Sequence, residues 1–279
     1  MLTHTTSDGY APLPVTLFHD DFDQGLQGWT GLIGNYEDSL DSLLPEYRDL
    51  RPPMLSNSPA WDTGSSGSLH GTYAMKLATR PQAGSLAVGI KRLTYRQACP
   101  VQLETYFTFK PEANELRLGE MDTHSFGILF DLQNADRRVM PHLHYLNAVE
   151  GVHCGRWQFK RAPPQFHDIG HTGKTVSHFH LSTAGWEDLP DGRQLLCYNE
   201  IATKQNWHYL RVGLDLNSMR LTALQCNDRI FDVSGAEPMT MPAMANLWCM
   251  LNVAFWIRAG TPRRSFLLID SVLLSADLD

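Results

Sequence analysis

Residues 207–216 alternate one by one. Trp207, Tyr209, Arg211, Gly213 and Asp215 share one parity, and His208, Leu210, Val212, Leu214 and Leu216 share the other. Only an extended chain, whose successive side chains point to opposite faces, turns this order into one apolar and one polar surface. Residues 101–110 repeat it, with Leu103, Thr105, Phe107 and Phe109 set against Glu104, Tyr106 and Thr108. Strands are likewise predicted over 72–79, 84–95, 124–133, 140–147, 155–160, 221–226, 229–233, 247–257 and 266–276, and over the less regular 175–181 and 193–198. Asn227-Asp228 forms the turn between 221–226 and 229–233, since both residue types tolerate positive φ. Helical spacing is confined to 36–50, where Leu40, Leu43, Leu44 and Tyr47 recur, Asp38 or Ser39 serves as cap and Pro52-Pro53 as stop. Many short strands and almost no helix predict a sandwich or barrel.

The two ends are themselves strand-like. Phe18-His19-Asp20-Asp21-Phe22 runs into a turn punctuated by Gly25 and Gly28 and then Trp29, and residues 266–274 are apolar except for Asp270 and Ser271. Terminal strands of an all-β chain that lie side by side close a sheet. The expected organisation is a tail at 1–15 and a single sandwich domain at 16–279, with insertions near 31–70 and 148–206. With 279 residues, 43% of them hydrophobic, the chain has ample material for one core. A net charge of −7 and short, scattered basic runs argue against a nucleic-acid partner. Neither a secretion signal nor an 18-residue apolar run is visible, so a membrane is not an expected partner and a cytoplasmic location is expected. Cys99, Cys154, Cys197, Cys226 and Cys249 are odd in number and widely spaced, as free thiols would be. Nucleotide-binding and nucleophile-elbow motifs are absent, so no organic cofactor is expected.

Several segments together carry a family resemblance: the Asp20-Asp21-Phe22 opening with its Gly-x-x-Gly-Trp turn, Gly71-Thr72-Tyr73-Ala74-Met75-Lys76-Leu77, Trp207-His208-Tyr209-Leu210-Arg211-Val212 leading to Asp215, and Ile269-Asp270-Ser271-Val272. Over roughly residues 16–278 the chain resembles the concanavalin A-like lectin/glucanase jelly rolls, a group that includes laminarinase-type hydrolases, carbohydrate-binding modules and 3-keto-disaccharide hydrolase-like domains. The resemblance implies two stacked antiparallel sheets, with sugar bound on a concave face. It also implies a structural Ca²⁺ at the seam of the termini, where Asp21, Asp23 and Asp270 match the places of its carboxylate ligands.

Three residue sets are candidates for chemistry. Glu120, Asp122 and His124 would share a strand face, and Glu120 and Asp122 match the first two acids of the Glu-x-Asp-x-x-Glu strand of laminarinase-like enzymes. Ser125 stands where the last Glu would be, which leaves His124 or Glu115 to supply the acid/base that glycoside cleavage requires. His142-Leu143-His144 and His178-Phe179-His180 each place two imidazoles on one face, a pattern that suits Zn²⁺ or Mn²⁺. Tyr145, Asn147, Trp157, Trp256 and Arg258, with His142, form the expected sugar-binding surface of rings and hydrogen-bonding groups. The favoured expectation is an enzyme that cleaves a glycosidic bond by hydrolysis or elimination, with Glu120, Asp122 and His144 as catalysts. The alternative is a lectin-like protein that binds a saccharide without turnover. Exposed strand edges leave a homo-oligomer open.

Overall fold

The computed structural model describes residues 9–32, 50–57, 67–111, 119–161, 183–197, 205–243, 245 and 250–278, with Glu120 described in its backbone alone. The described strands are β1 (Val15–Asp20), β2 (Met54–Leu55), β3 (Met75–Ala78), β4 (Leu86–Thr94), β5 (Pro100–Pro111), β6 (Thr123–Gln133), β7 (Arg137–Met140) and β8 (His142–Val149). They continue with β9 (Val152–Lys160), β10 (Trp186–Arg193), β11 (His208–Asp215), β12 (Arg220–Cys226), β13 (Arg229–Phe231), β14 (Met239–Pro242), β15 (Met250–Ala259) and β16 (Ser265–Ala276). One sheet has the order β13-β12-β11-β5-β16-β3-β2, with β1 also on β16; the other runs β10-β9-β8-β6-β15-β4, with β7 on β6 and β14 on β7. The expected two-sheet antiparallel sandwich is what the chain forms.

Alternation explains how the sheets meet. Leu103, Phe107 and Phe109 of β5 and Leu210, Val212 and Leu214 of β11 pack in one cluster with Phe126, Ile128 and Phe130 of β6 and Val253, Phe255 and Ile257 of β15. Phe126 touches Phe107 and Phe109 across the sandwich, with ring centroids 5.1 and 4.8 Å apart. Each such side chain contributes about 1.5–3 kcal/mol on leaving water.

The termini do lie side by side. β16 pairs with β5 along its length; on its other edge Phe266–Ile269 pairs with β3 and Val272–Ala276 pairs with β1. Ser271, at φ 55°, forms a bulge at the handover from β3 to β1. The opening segment is held by one buried carboxylate: Asp20 Oδ2 accepts from the Trp29 indole at 2.9 Å and from Lys91 Nζ at 2.5 Å. Trp29 is itself buried and packs on Phe255 with centroids 5.5 Å apart. Part of the stretch expected as a tail lies across the first sheet: Ala11 N–H donates to Glu104, Leu13 N–H to Ser275 Oγ, and the Tyr10 hydroxyl to the Ser271 carbonyl.

Elsewhere the strands differ from the sequence pattern. β10 occupies Trp186–Arg193 rather than 193–198. Its Leu-Pro-Asp-Gly core has turn composition, but an edge strand needs no donor from Pro190 on its open side, and its pairing with β9 breaks between Asp188 and Arg193. β7 and β14, four residues each, carry too few residues for an alternating signature. The predicted helix over 36–50, apart from Leu50, and the predicted strand over 175–181 lie outside the described residues. Among the described residues no helix is long and apolar enough to cross a membrane.

Asp20→Ala would leave a buried indole N–H and a largely buried ammonium without their shared acceptor. A loss of about 3 kcal/mol is expected, with a smaller loss for Asp20→Asn, whose amide oxygen still accepts from the indole; urea unfolding followed by Trp fluorescence measures both.

Candidate functional site

The inner residues of the second sheet build the core, so the opposite parity builds its outer face. There β8 presents His142, His144 and Leu146, β15 presents Ala254, Trp256 and Arg258, and β4 presents Leu86 and Val88. With Gln158 of β9 and Trp186 of β10 these line a groove of about 180 Å³. Gly127 of β6 lies directly between His144 and Trp256 in register. A Cβ there would stand 2.8 Å from both His144 Cβ and Trp256 Cε2 and would overlap the Leu143 carbonyl. The missing side chain is what lets the two rings lean toward each other.

The rings form one cluster. The Trp186 indole stacks on His144 at 3.5 Å between centroids with an 11° tilt, and meets His142 edge-on at 4.7 Å. Trp256 and Trp186 are 6.1 Å apart. The Trp256 indole N–H donates to His142 Nε2 at 2.8 Å, so that nitrogen carries a lone pair. A chain of bonds fixes His144 in the same way. Arg156 pairs with Asp188 at 2.7 Å, and Asp188 accepts from Gln158 Nε2 at 2.6 Å, which turns the amide oxygen toward His144. His144 Nε2, 2.6 Å from that oxygen, must therefore donate, leaving the lone pair on Nδ1, a buried atom with no hydrogen-bond partner among the described residues.

The electrostatics follow from burial. Desolvation pushes His144 down to about 3, only partly offset by its bond to Gln158, while His124, Lys160 and Arg258 push the same way. Burial, and then Arg258, brings Lys160 down to about 7 and also lowers His124. Lys160 Nζ sits 4.9 Å from the Trp186 ring centroid.

The predicted site residues divide by parity. His142, His144, Trp256 and Arg258 meet in the groove. Tyr145, Asn147 and Trp157 do not: all three are buried away from it, Tyr145 and Trp157 within the inter-sheet core, where Tyr145 donates to the Gln194 carbonyl and Trp157 to Gln194 Oε1; Asn147 donates to the Thr123 carbonyl. One-residue steps put them on the other face from His142 and His144. Asp122 is not on a strand but ends a single 3₁₀ turn, Glu120–Asp122; its carboxylate accepts from Thr261 Oγ1 at 2.7 Å and Arg263 at 3.2 Å, which pins the loop before β16 rather than facing the groove. The Glu120 side chain, His178 and His180 lie outside the described residues. No group of three or more metal-ligating side chains forms among the described residues. Trp186 and Gln158, an aromatic and an amide of the kind a sugar surface needs, also line the groove; Gly127, with no side chain to carry chemistry, left no signal in the sequence.

At the seam, Asp23 and Asp270 both grip the 69–73 loop. Asp23 accepts from the N–H groups of Thr72 and Tyr73, and Asp270 Oδ2 from those of Leu69 and His70 at 2.7 and 2.6 Å. Asp270 Oδ1 is buried with no hydrogen-bond partner among the described residues, and burial raises this carboxyl to about 6, with Asp23 adding to the rise. Gly71 lies against the Asp23 carboxylate, where any Cβ would overlap it. A buried carboxylate oxygen without a partner beside a second acid suits a hard cation. Asp21 does not join them: it is exposed and accepts from Asp23 N–H and Gln27 in its own turn.

A two-sheet antiparallel sandwich with a ring-lined groove on one outer face is thus the class of molecule that the strands define. The chain belongs to the family described as Domain of unknown function (DUF6772), whose model matches residues 3–278. A search of curated proteins gave no match. Among solved structures it is similar to the cellulose induced protein Cip1, at 11% identity over 92% of this chain and 96% of that one, TM-score 0.40. It is also similar to a beta-1,3-glucanase from Mycobacterium marinum, at 13% identity over 93% and 98%, TM-score 0.37. A third is lectin UEA-II complexed with galactose, at 7% over 75% and 89%, TM-score 0.40.

Because the folded protein holds His144 neutral down to about pH 3 while an unfolded chain protonates near 6.5, the unfolded state takes up more protons in between. Stability is expected to fall as pH drops from 6.5 toward 3. His144→Gln should flatten the upper part of that slope, whatever it does to stability at pH 7, in urea titrations at half-unit pH steps.

Proposed function

We propose that the outer-face groove binds a saccharide, and that it does so without laminarinase-type cleavage. The observation that carries this reading is the ring cluster itself: Trp186 and Trp256, held 6.1 Å apart over two imidazoles and flanked by Gln158, Arg258 and Lys160. Sugar C–H faces pack on such rings, and sugar hydroxyls bond to the surrounding amide, guanidinium and imidazole groups. Two-carboxylate hydrolysis needs a pair of acids facing the bond to be cleaved, about 5–10 Å apart. The described acids around the groove are engaged elsewhere: Asp131 with Arg138, Asp188 with Arg156 and Gln158, and Asp122 with Thr261 and Arg263. Binding is therefore the reading favoured over cleavage.

Titration of an oligosaccharide panel by calorimetry and Trp fluorescence tests it. Trp186→Ala, at a partly exposed edge position, should weaken binding about threefold to tenfold, in line with the roughly 0.5–1.5 kcal/mol of a ring contact. Product release from a bound oligosaccharide that disappears in Glu120→Gln would restore the cleavage reading.

At the seam, Asp23 and Asp270 would hold a calcium ion that joins the 69–73 loop to β16, a structural role. Millimolar Ca²⁺ is expected to raise the melting temperature of the protein and to leave that of Asp270→Asn unchanged, as read by calorimetry after chelator treatment.

A further inference from the structure

On β11 the core takes Leu210, Val212 and Leu214, so Tyr209, Arg211 and Gly213 fall on the outer face of the first sheet. Arg211 stands in register between Glu104 of β5 and Gln225 of β12. Either neighbour could accept from a guanidinium, and each is turned to another partner. Glu104 Oε1 accepts from the Ala11 N–H at 2.8 Å and the Tyr209 hydroxyl at 2.5 Å, and Oε2 from Gln102 at 3.1 Å. The Gln225 amide donates to the Asn227 carbonyl at 2.8 Å, which draws that side chain along β12 toward its turn. Among the described residues Arg211 makes no ion pair and no hydrogen bond, although it is half-buried and its Nε is enclosed. We propose that Arg211 is the receiving group of an oxyanion site on this face, for a ligand that bears a carboxylate or a phosphate. The site lies on the sheet opposite the groove and does not depend on the saccharide reading.

A guanidinium that has given up part of its water without gaining an acceptor raises the free energy of the empty protein, and an oxyanion lowers it. The planar fork of Arg matches two oxygens of a carboxylate or phosphate. Its surroundings leave room and supply little competition. The next outward pair between β11 and β12 is Gly213 and Ala223, both small. On the other side stands Tyr209, whose phenol is raised by burial and by its bond to Glu104, while the charge of Arg211 pulls the other way; ring and guanidinium are thus within electrostatic reach. The Tyr209 hydroxyl is engaged by Glu104, and those of Tyr10 and Tyr106 by the Ser271 and Gly9 carbonyls. These bonds turn the tyrosines inward and leave Arg211 with donors to offer.

The test titrates chelator-treated protein, labelled with heavy nitrogen, with sodium phosphate and with sodium succinate, against sodium chloride at matched ionic strength. The Arg211 Nε–H signal, identified in NMR spectra by its loss in Arg211→Gln, is expected to shift saturably with phosphate, succinate or both, and not with chloride. At ten times the half-saturating concentration the melting temperature should rise by about 2–3 °C, and Arg211→Gln should abolish that rise. Arg211→Lys keeps the charge but not the fork and should raise the half-saturating concentration several-fold; it serves if the Gln variant does not fold. Saturation by phosphate alone makes the ligand group a phosphate, and by succinate alone a carboxylate. An equal shift in chloride, no saturable shift with either oxyanion, or a melting response that survives in Arg211→Gln overturns the inference.

Discussion

The second sheet has to bury both of its faces, and this one demand organises the molecule. Along β8, Leu143 and Tyr145 go inward to the aromatic core with Phe126 and Trp157, while His142 and His144 go outward to Trp186 and Trp256. Along β15, Phe255 and Ile257 go inward and Trp256 and Arg258 outward. A strand of period two cannot serve a core and a groove with the same residues. Each position is therefore assigned to one of them, and a slip of one residue would exchange their contents.

Rings on the outer face are useful only if their polar atoms are satisfied or neutral. The Arg156–Asp188–Gln158–His144 chain does this by fixing the amide, then the imidazole tautomer. Trp256 does it for His142 with a single indole N–H. Burial keeps His144 uncharged, which avoids an isolated imidazolium in an apolar environment. Along the strand direction, Lys160, in the row of Trp186 and His142, and Arg258, in the row of Ser125 and Leu146, stand at opposite ends of the groove.

Much of the fold was legible because alternation is a strong signal on long strands. Residues 101–110 and 207–216 became the paired strands β5 and β11, and the terminal segments became neighbours on β16. Asn227, at φ 53°, sits in the turn where Asn227-Asp228 was expected. β10 was hidden by Pro190 and Gly192, residues that an edge strand tolerates. In the site, His142, His144, Trp256 and Arg258 were legible as chemistry-bearing side chains on strands. Tyr145, Asn147 and Trp157 were grouped with them by composition, although on β8 the odd parity of Tyr145 and Asn147 had already placed them on the opposite face, and Trp157 follows Tyr145 through the β8–β9 register. The acids at 120–122 lay in a segment too polar and irregular to be a strand, and the chain makes a 3₁₀ turn there.

The sequence by itself determined that the chain is built of alternating strands, which residues are apolar on one parity, and that both of its end segments are strand-like. Those are local properties, set by side chains one or two positions apart. Tertiary structure alone decided that Gly127 would open a gap for His144 and Trp256, that Trp186 would cross from an edge strand to stack on His144, and that Gln158 of β9 and Arg258 of β15 would line the same groove. These contacts join β6, β8, β9, β10 and β15, strands separated by tens to more than a hundred residues. The register between such strands is fixed only when the whole sheet closes over its core.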